Sequence, residues 1–346
     1  MKKYLTYDDV NIVPKYSEIK SRDDVDLTTR FTKNTTMSMP IVASPMDTVT
    51  EYKMASEMLD RGGVGVIHRF QSIEKQAEQM KRVWRQWDSW YNIGDQNKDR
   101  TDHTRIFDEW YKGVRHWNSP PTKSDYEDLH ELLWFATEAK KDEEYWGKRP
   151  LCAAVGATGD YLERAKELVN NGCNVILIDV AHGHHKNVGD AIEEVKSKIS
   201  NIEVVAGNIA TSDGARFLAG KGADAIRVGI GNGSLCETRI RTGVGLPQVT
   251  TLIDVCSVAD DWDIPVIADG GIRNVGDVVK GIGCGADSIM VGSLLSGTKE
   301  SPGSIEKQGQ WPNEKLFKKY RGSASRDSKG NDKNVEGNHK VIPYKG

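Results

Sequence analysis

The sequence predicts an α/β protein of the (β/α)8 TIM-barrel class, and three observations lead to that prediction. Eight short apolar runs recur along the chain, helical stretches separate most of them, and polar or glycine-rich residues follow them. Short, continuously apolar runs are typical of strands buried on both faces of a parallel sheet. Eight such strands alternating with helices indicate a closed barrel, and an open doubly wound sheet fits the same alternation.

The predicted elements follow from these runs. The strands cover residues 40–43, 65–67, 153–155, 175–178, 204–206, 225–228, 265–268 and 288–291. The clearest helical stretches between them are residues 160–170, 187–198 and 212–220. The residues that follow the strands are 44–47, 68–69, 179, 207–208, 229–236, 269–271 and 292–293. Because barrel enzymes carry their chemistry at the carboxyl ends of the strands, we expect the functional site there.

One segment, residues 84–146, interrupts the alternation after the second strand. It contains seven of the nine tryptophans and many charges, and it predicts helices over residues 105–117 and 124–144. We expect a helical decoration whose aromatic side chains pack on each other and on the barrel; a partner-binding or regulatory surface is the alternative. The predicted organisation is a barrel of residues 1–83 and 147–346 with a tryptophan-rich insertion of residues 84–146.

Composition excludes several classes of protein. The net charge of −3 and pI of about 6.3 give no basic surface for nucleic acid or anionic membrane. No apolar run approaches the roughly 20 residues of a membrane span, and no signal-peptide pattern follows Met1. The five cysteines lack CxxC spacing, which favours a reducing compartment over a disulfide framework or a zinc site. We therefore expect a cytoplasmic protein that binds neither nucleic acid nor membrane.

The loop GIGNGSLCETR, residues 229–239, directly follows the sixth predicted strand. Its glycines allow backbone groups to approach a ligand closely. Glycines also end the seventh and eighth strands, where barrels commonly hold phosphate, so the leading ligand is a phosphorylated small molecule. Cys236 is a candidate nucleophile, with Thr238 placed to orient a proton-carrying group. The other four cysteines are predicted to be small buried apolar residues. An unrelated phosphate-binding barrel, such as an isomerase, also fits these loops.

The cysteine loop and further motifs resemble the IMP dehydrogenase and GMP reductase family. The matching residues are 43–47, 179–184, 206–208, 229–239, 242–248, 268–272, 297–303 and 320–322, in family order through almost the whole chain except residues 84–146. The resemblance implies a barrel oxidoreductase that acts on a purine nucleoside monophosphate, GMP or IMP, with a nicotinamide cofactor. It also implies a homo-oligomer, a tetramer by resemblance.

The resemblance further implies roles for individual residues. Cys236 is the nucleophile that attacks C2 of the purine, with Thr238 and Glu336 as catalytic partners. The implied nucleotide-binding residues are Ser44, Met46, Ser234, Asp269, Gly270, Gly271, Gly292, Ser293, Tyr320, Gly322 and Gly337. The implied cofactor-binding residues are Asp179, Asn208, Gly229 and Gly231. Carbonyls of Gly231, Gly233 and Cys236 are implied ligands of a monovalent cation such as K⁺. Asn232 and Glu237 replace the usual proline and threonine of this loop, and Ser323 replaces a common methionine.

The linker between Gly322 and Glu336 bears on the choice between the two enzymes. Dehydrogenases hydrolyse the covalent intermediate with a mobile flap that carries an Arg-Tyr pair. The linker SASRDSKGNDKNV is short and polar, contains no Arg-Tyr, and is similar to bacterial GMP reductases, which expel ammonia and need no activated water. We therefore expect an NADPH-dependent GMP reductase that converts GMP to IMP and ammonia.

Two alternatives remain open. An NAD-dependent IMP dehydrogenase that forms XMP is supported by the amino-terminal third and by the residues around Pro247 and Gln248. The insertion lies where many dehydrogenases carry a tandem CBS module, but it is too short for two CBS repeats. A catalytically inactive purine-nucleotide-binding regulator is the other alternative, against which Cys236, Thr238 and Glu336 argue.

The chain ends before a last helix that family members place outside the eighth strand. Without that helix, we expect the eighth strand to lack its outer cover and apolar surface to be exposed. A truncated gene product, half of a split protein, and cover from a neighbouring subunit are the alternatives.

Overall fold

The computed structural model describes residues 3–95, 149–309, 313–322 and 338–346. The chain divides into two compact units, Met1–Trp84 with Pro150–Gly346, and Arg85–Arg149. Residues 96–146 of the predicted insertion lie outside the described residues, so its helices and the predicted domain division stay predictions. Glu336 and Gly337 lie outside the described residues as well.

Eight parallel strands close a barrel, which confirms the predicted fold. A short antiparallel hairpin, β1 (Thr29–Arg30) and β2 (Thr36–Met37), precedes it. The barrel strands are β3 (Ile41–Ala43), β4 (Val64–Ile67), β5 (Cys152–Val155), β6 (Val175–Asp179), β7 (Glu203–Ile209), β8 (Ala225–Val228), β9 (Val266–Asp269) and β10 (Ser288–Val291). The pairing of Ile289 with Ile41 joins β10 to β3 and closes the barrel, which excludes the open sheet.

Helices follow the strands where the apolar periodicity changes. They are α1 (Tyr52–Asp60), α2 (Ile73–Asp95), α3 (Tyr161–Asn170), α4 (Lys186–Lys198), α5 (Ser212–Gly220), α6 (Thr238–Thr242), α7 (Gln248–Asp261) and α8 (Val275–Gly283). Thr211 and Asn274 begin α5 and α8 as side-chain caps that accept backbone N–H groups of the first turn. The three helical stretches predicted from the sequence correspond to α3, α4 and α5. No helix among the described residues has the length and apolar character needed to cross a membrane.

A small antiparallel sheet follows β10 and consists of β11 (Glu306–Gln308), β12 (Lys315–Arg321) and β13 (His339–Pro343). Strand β12 is anchored at two points. Arg321 forms an ion pair with Asp47 at 2.7 Å, and the buried Lys318 ammonium donates to the carbonyls of Thr298 at 2.9 Å and Ser301 at 2.6 Å. These contacts hold β12, and therefore Tyr320, against the segments that follow β3 and β10. The sequence did not predict this sheet.

An apolar cluster fills the amino-terminal end of the barrel. Phe31 and Met37 of the β1–β2 hairpin pack against residues near the start of the strands, including Val42, Cys152 and Ala225. Phe31 is only 1% exposed. The hairpin therefore covers the barrel interior at this end with apolar side chains.

Candidate active site at the carboxyl end of the barrel

Four neighbouring strands place a polar layer directly above the apolar cluster. The layer consists of Asp179 on β6, Asn208 on β7, Arg227 on β8 and Asp269 on β9. Arg227 Nη1 donates to Asp179 Oδ1 at 2.6 Å, and its Nε and Nη2 lie 3.0 and 2.9 Å from Asp269 Oδ2. Asn208 Nδ2 donates to the same Asp269 oxygen at 2.7 Å. The structure therefore connects Asp269, a predicted nucleotide-binding residue, to Asp179, a predicted cofactor-binding residue, through Arg227.

Sequence reasoning missed Arg227, because it treated residues 225–228 as an apolar run. A charge inside a strand that is buried on both faces needs partners, since an unpaired buried charge is costly. Burial works against the charged guanidinium, but the negative charges of Asp269 and Asp179 raise the pKa of Arg227 overall. The neighbouring strand accommodates Arg227 at Gly207, where a Cβ would lie 2.7 Å from the Cβ of Arg227.

The cysteine loop begins at the end of β8 and lies against the turn after β9. Cys236 is half-buried, and its thiol donates to Thr238 Oγ1 at 3.1 Å. The Cys236 N–H donates to the Gly233 carbonyl at 3.0 Å, which closes a tight turn ahead of the thiol. A Cβ on Gly270 would lie 3.0 Å from the Gly233 nitrogen. The predicted nucleophile and the predicted phosphate-binding turn are therefore neighbours.

The side chain of Asn232 ties this loop to the start of α7. Asn232 Nδ2 donates to Gln248 Oε1 at 2.5 Å, and Arg239 donates to Asn232 Oδ1. Gln248 Nε2 in turn donates to the Val228 carbonyl at 2.8 Å. The asparagine that departs from the family pattern thus contributes hydrogen bonds that a proline cannot make.

Gly292 follows β10, and several predicted nucleotide-binding side chains lie close to it. A Cβ on Gly292 would lie 2.8 Å from Ser44 Oγ, and 3.1 Å from both Met46 Sδ and the Tyr320 hydroxyl. Burial raises the pKa of the Tyr320 hydroxyl, and a hydrogen bond with Ser234 opposes that rise. Since only glycine permits this approach, the structure brings together five predicted nucleotide-binding residues: Ser44, Met46, Ser234, Gly292 and Tyr320.

The remaining predicted nucleotide residues lie around the turn after β9. Gly270 and Gly271 both have positive φ, +89° and +84°, and the Tyr7 ring lies beneath Gly271. Ser293 Oγ donates to the Ile272 carbonyl at 3.4 Å. Only glycines readily adopt the left-handed conformation at two consecutive positions. Because they have no side chain, they also let the backbone approach a ligand closely.

The chain on both sides of the undescribed linker lies close to the cysteine loop. The Gly322 N–H donates to the Asn338 carbonyl at 2.9 Å, and the Asn338 N–H donates to the Leu235 carbonyl at 3.1 Å. Leu235 directly precedes Cys236. Gly322 is thus placed near the cysteine loop, whereas the predicted roles of Glu336 and Gly337 remain untested.

Asp179, which is predicted to bind the cofactor, is a hydrogen-bond acceptor with the Arg69 guanidinium nearby. Arg69 Nε lies 3.7 Å from Asp179 Oδ2 and, although buried, has no hydrogen-bond partner among the described residues. A dinucleotide carries ribose hydroxyls, which a carboxylate accepts, and phosphates, which a guanidinium binds. Gly229 is so close to the Asp269 carbonyl that a side chain would collide with it. The donor set at this end of the barrel therefore fits a nicotinamide dinucleotide.

The predicted cation site fits less well. The tight turn brings the Gly233 and Cys236 backbones together, as a set of carbonyl ligands requires. However, the Arg239 side chain packs on Gly231, and its positive charge would repel a bound cation nearby. Within the described ranges, no three His, Cys, Asp or Glu side chains group as a metal centre would need.

The five cysteines differ in their surroundings. Cys152, Cys173 and Cys256 are buried, and burial raises the pKa of Cys173 and of Cys256 to about 12 and that of Cys152 well above its usual value. Burial also raises the pKa of Cys284. Since the thiolate is the nucleophile, these four are poor nucleophiles near neutral pH, whereas Cys236 lies on the loop at the carboxyl end.

Comparisons with known proteins identify one family over nearly the whole chain. The family model described as IMP dehydrogenase / GMP reductase domain matches residues 4–344. An inosine-5'-monophosphate dehydrogenase of Nitrosopumilus maritimus (strain SCM1) is 36% identical over 100% of this chain and 88% of that protein. Another, of Cryptosporidium parvum, is 39% identical over 93% of this chain and 74% of that protein. A third, of Borreliella burgdorferi, is 38% identical over 99% of this chain and 82% of that protein.

Proposed function

The chain belongs to the IMP dehydrogenase / GMP reductase family of oxidoreductases, and we propose that it oxidises IMP to XMP with NAD through a covalent Cys236 adduct. The observation that supports this most directly is the placement of the Cys236 thiol. It is half-buried, hydrogen-bonded to Thr238, and carried by a loop that packs on the turn after Asp269. A nucleophile beside a subsite of convergent polar groups is the arrangement that covalent catalysis needs.

The proposed direction of the reaction is supported by the relatives rather than by the linker. The similar proteins named above are all called IMP dehydrogenases, and they align along nearly the whole chain. This supports dehydrogenation over the reductase expected from the sequence. NAD then replaces NADPH as the proposed cofactor, and its nicotinamide ring supplies the hydride acceptor when it is bound.

The first half of the proposed reaction uses the cysteine loop. The Cys236 sulfur attacks C2 of the purine, and an S–C2 bond forms. NAD, held by the cofactor-binding residues named below, would supply the acceptor for the C2 hydrogen and its electron pair. The thiol proton has a path through Thr238, whose oxygen accepts the thiol hydrogen bond. In the second half, water adds to C2, the S–C2 bond breaks, and XMP leaves with the thiol restored.

The other residues are proposed to hold the nucleotide in place. Asp269 accepts the ribose hydroxyls, and Ser44 and Met46 contact the base. The phosphate is proposed to be bound by Ser234, Gly271, Gly292, Ser293 and Tyr320. Gly270, Gly322 and Gly337 are proposed to bind the nucleotide as well. The described groups come from four adjacent strand ends, those of β8, β9, β10 and β3, and from β12, so they are proposed to fix the position of C2 relative to the thiol.

The cofactor is proposed to bind on the other side of the polar layer. Asp179, Asn208, Gly229 and Gly231 line that side, with Asp179 accepting hydroxyls. The carbonyls of Gly231, Gly233 and Cys236 are proposed to bind K⁺. The positive charge of the nearby Arg239 side chain would weaken that binding. A homotetramer in the cytoplasm is likewise proposed by resemblance and composition, and light scattering after gel filtration would measure the subunit number.

GMP reduction is the second candidate, and one observation favours it. Residues 323–335 contain no Arg-Tyr pair, which the family's dehydrogenases use to activate water. In that reaction bound NADPH would supply the hydride for C2 and ammonia would be the leaving group, and Glu336 with Thr238 is proposed to protonate the departing amine.

The test measures absorbance at 340 nm with IMP plus NAD and with GMP plus NADPH, with chromatography of the nucleotide products. We expect XMP and NADH from the first pair in equal amounts over many turnovers. IMP and ammonia from the second pair alone would replace our proposal with the second candidate. Saturable nucleotide binding with no turnover of either pair would indicate the regulator.

A further inference from the structure

We propose that Arg227 is a positioning residue that couples the nucleotide subsite to the cofactor subsite by holding Asp269 and Asp179 with one guanidinium. The proposal rests on the proposed function, which places the ribose hydroxyls of the nucleotide on Asp269 and the cofactor on Asp179. Arg227 itself is assigned no contact with either ligand. Its role follows from three features: its geometry, its charge balance and the direction in which each carboxylate faces.

The first feature is the geometry of the guanidinium. One edge donates to Asp179 Oδ1 at 2.6 Å, and the opposite edge lies 2.9 and 3.0 Å from Asp269 Oδ2. The donors of a guanidinium are fixed in one plane. A rotation that improves the bond to one carboxylate therefore changes the bond to the other. Burial of Arg227 between β7 and β9 leaves it little room to relax independently.

The second feature is the charge balance. Two carboxylates share one buried guanidinium, and among the described residues the Arg69 guanidinium, 3.7 Å from Asp179, is the other cation paired with them. Electrostatic interactions are stronger in a buried site than in water. When ligand hydroxyls bind Asp269 and disperse its charge, Arg227 interacts more strongly with Asp179 and holds that side chain in place.

The third feature is the direction of the hydrogen bonds on Asp269. The bonds from Arg227 and Asn208 all end on Oδ2. Oδ1 takes part in none of the hydrogen bonds found among the described residues, so it is the oxygen left for a ligand. Arg227 and Asn208 thereby orient the carboxylate before the nucleotide arrives. The two oxygens of Asp179 also have different partners: Oδ1 accepts a hydrogen bond from Arg227, and Oδ2 faces Arg69.

The experiment measures binding without turnover, in a Cys236→Ala background. Calorimetry gives the Kd of IMP with and without saturating NAD, and the ratio of the two values is the coupling factor. Allosteric couplings are commonly about 5- to 150-fold, and we expect at least about fivefold tighter IMP binding with NAD. Arg227→Lys keeps the charge but loses the two-edged fork, so we expect its ratio to fall to about one.

Two further variants separate coupling from structural damage. Arg69→Gln also removes a positive charge next to Asp179, but Arg69 makes no ion pair with Asp269. We therefore expect this variant to bind NAD more weakly and, in the absence of NAD, to bind IMP with unchanged affinity. Asp179→Asn keeps the size of the side chain and removes its charge, and we expect it to abolish the ratio even if Arg227→Lys does not fold. Thermal unfolding of each variant identifies the folded ones.

The outcomes are distinct. A ratio near one in the Cys236→Ala parent, or a ratio unchanged by Arg227→Lys and Asp179→Asn while both affinities fall, overturns the coupling alone. If neither IMP nor GMP binds the parent, the proposed function fails and the coupling fails with it. If GMP and NADP bind in place of IMP and NAD, the same ratios measured with that pair decide the coupling.

Discussion

The two ends of the barrel are built from the same eight strands and have opposite chemistry. Inside the barrel, the amino-terminal end is apolar and is covered by Phe31 and Met37 of the hairpin. The carboxyl end carries the polar layer and the glycine-rich loops. Strand β8 shows the change within a few residues, because Ala225 packs in the apolar cluster and Arg227 lies in the polar layer. Whether a residue contributes to the apolar cluster or to the candidate site therefore depends on its position along the strand and not on which strand carries it.

Replacing one cysteine by alanine at each end is expected to give the largest difference in kcat and in stability between the two ends. Cys236→Ala removes the nucleophile, so we expect kcat to fall by about three orders of magnitude or more, with the free energy of unfolding changed by less than about 0.5 kcal/mol. Cys152→Ala is the matched control, since Cys152 lies in the apolar cluster. It should lower stability measurably and leave kcat unchanged. Assays at 340 nm and urea denaturation give both quantities for both variants.

Much of the fold could be predicted from the sequence because buried parallel strands leave continuous apolar runs. All eight predicted strands lie within the observed barrel to within a few residues. The β11–β13 sheet was missed because its strands mix charged and apolar residues and show no such run. The β1–β2 hairpin was missed because its strands have two residues each.

The site could be predicted only in part. The motif residues at the strand ends do come together around Gly292 and Gly270. Arg227 was missed because its partners, Asp179 and Asp269, are 48 and 42 residues away along the chain. Only closure of the barrel brings the three side chains together, so no local pattern marked this arginine except its charge.

The next largest effect is expected at the amino-terminal end. Phe31→Ala removes a fully buried aromatic ring from the cluster under the strands, and we expect a loss of about 3 to 5 kcal/mol in the free energy of unfolding. KM for the nucleotide should not change at temperatures where the variant stays folded. A raised KM in folded protein would show that the two ends are not independent.

A smaller effect is expected at Gly292. A Cβ there would lie 2.8 Å from Ser44 Oγ, so Gly292→Ala should displace the Ser44, Met46 and Tyr320 side chains and raise the nucleotide Kd about tenfold, or about 1.4 kcal/mol. Gly220→Ala at the end of α5 is the control, because its Cβ would make only an ordinary contact with Trp262 at 3.9 Å. Equal affinities for the two variants, measured by calorimetry, would argue against the Gly292 subsite.

The central claim is that Cys236 bonds covalently to the purine, and mass spectrometry tests it most directly. The protein is mixed with IMP and NAD, quenched with acid within the first turnovers, digested, and the peptide containing Cys236 is weighed. We predict that this peptide gains the mass of one nucleotide less two hydrogens, and that Cys236→Ala protein gains none. Sustained NADH production with an unmodified Cys236 peptide at every quench time would contradict the account.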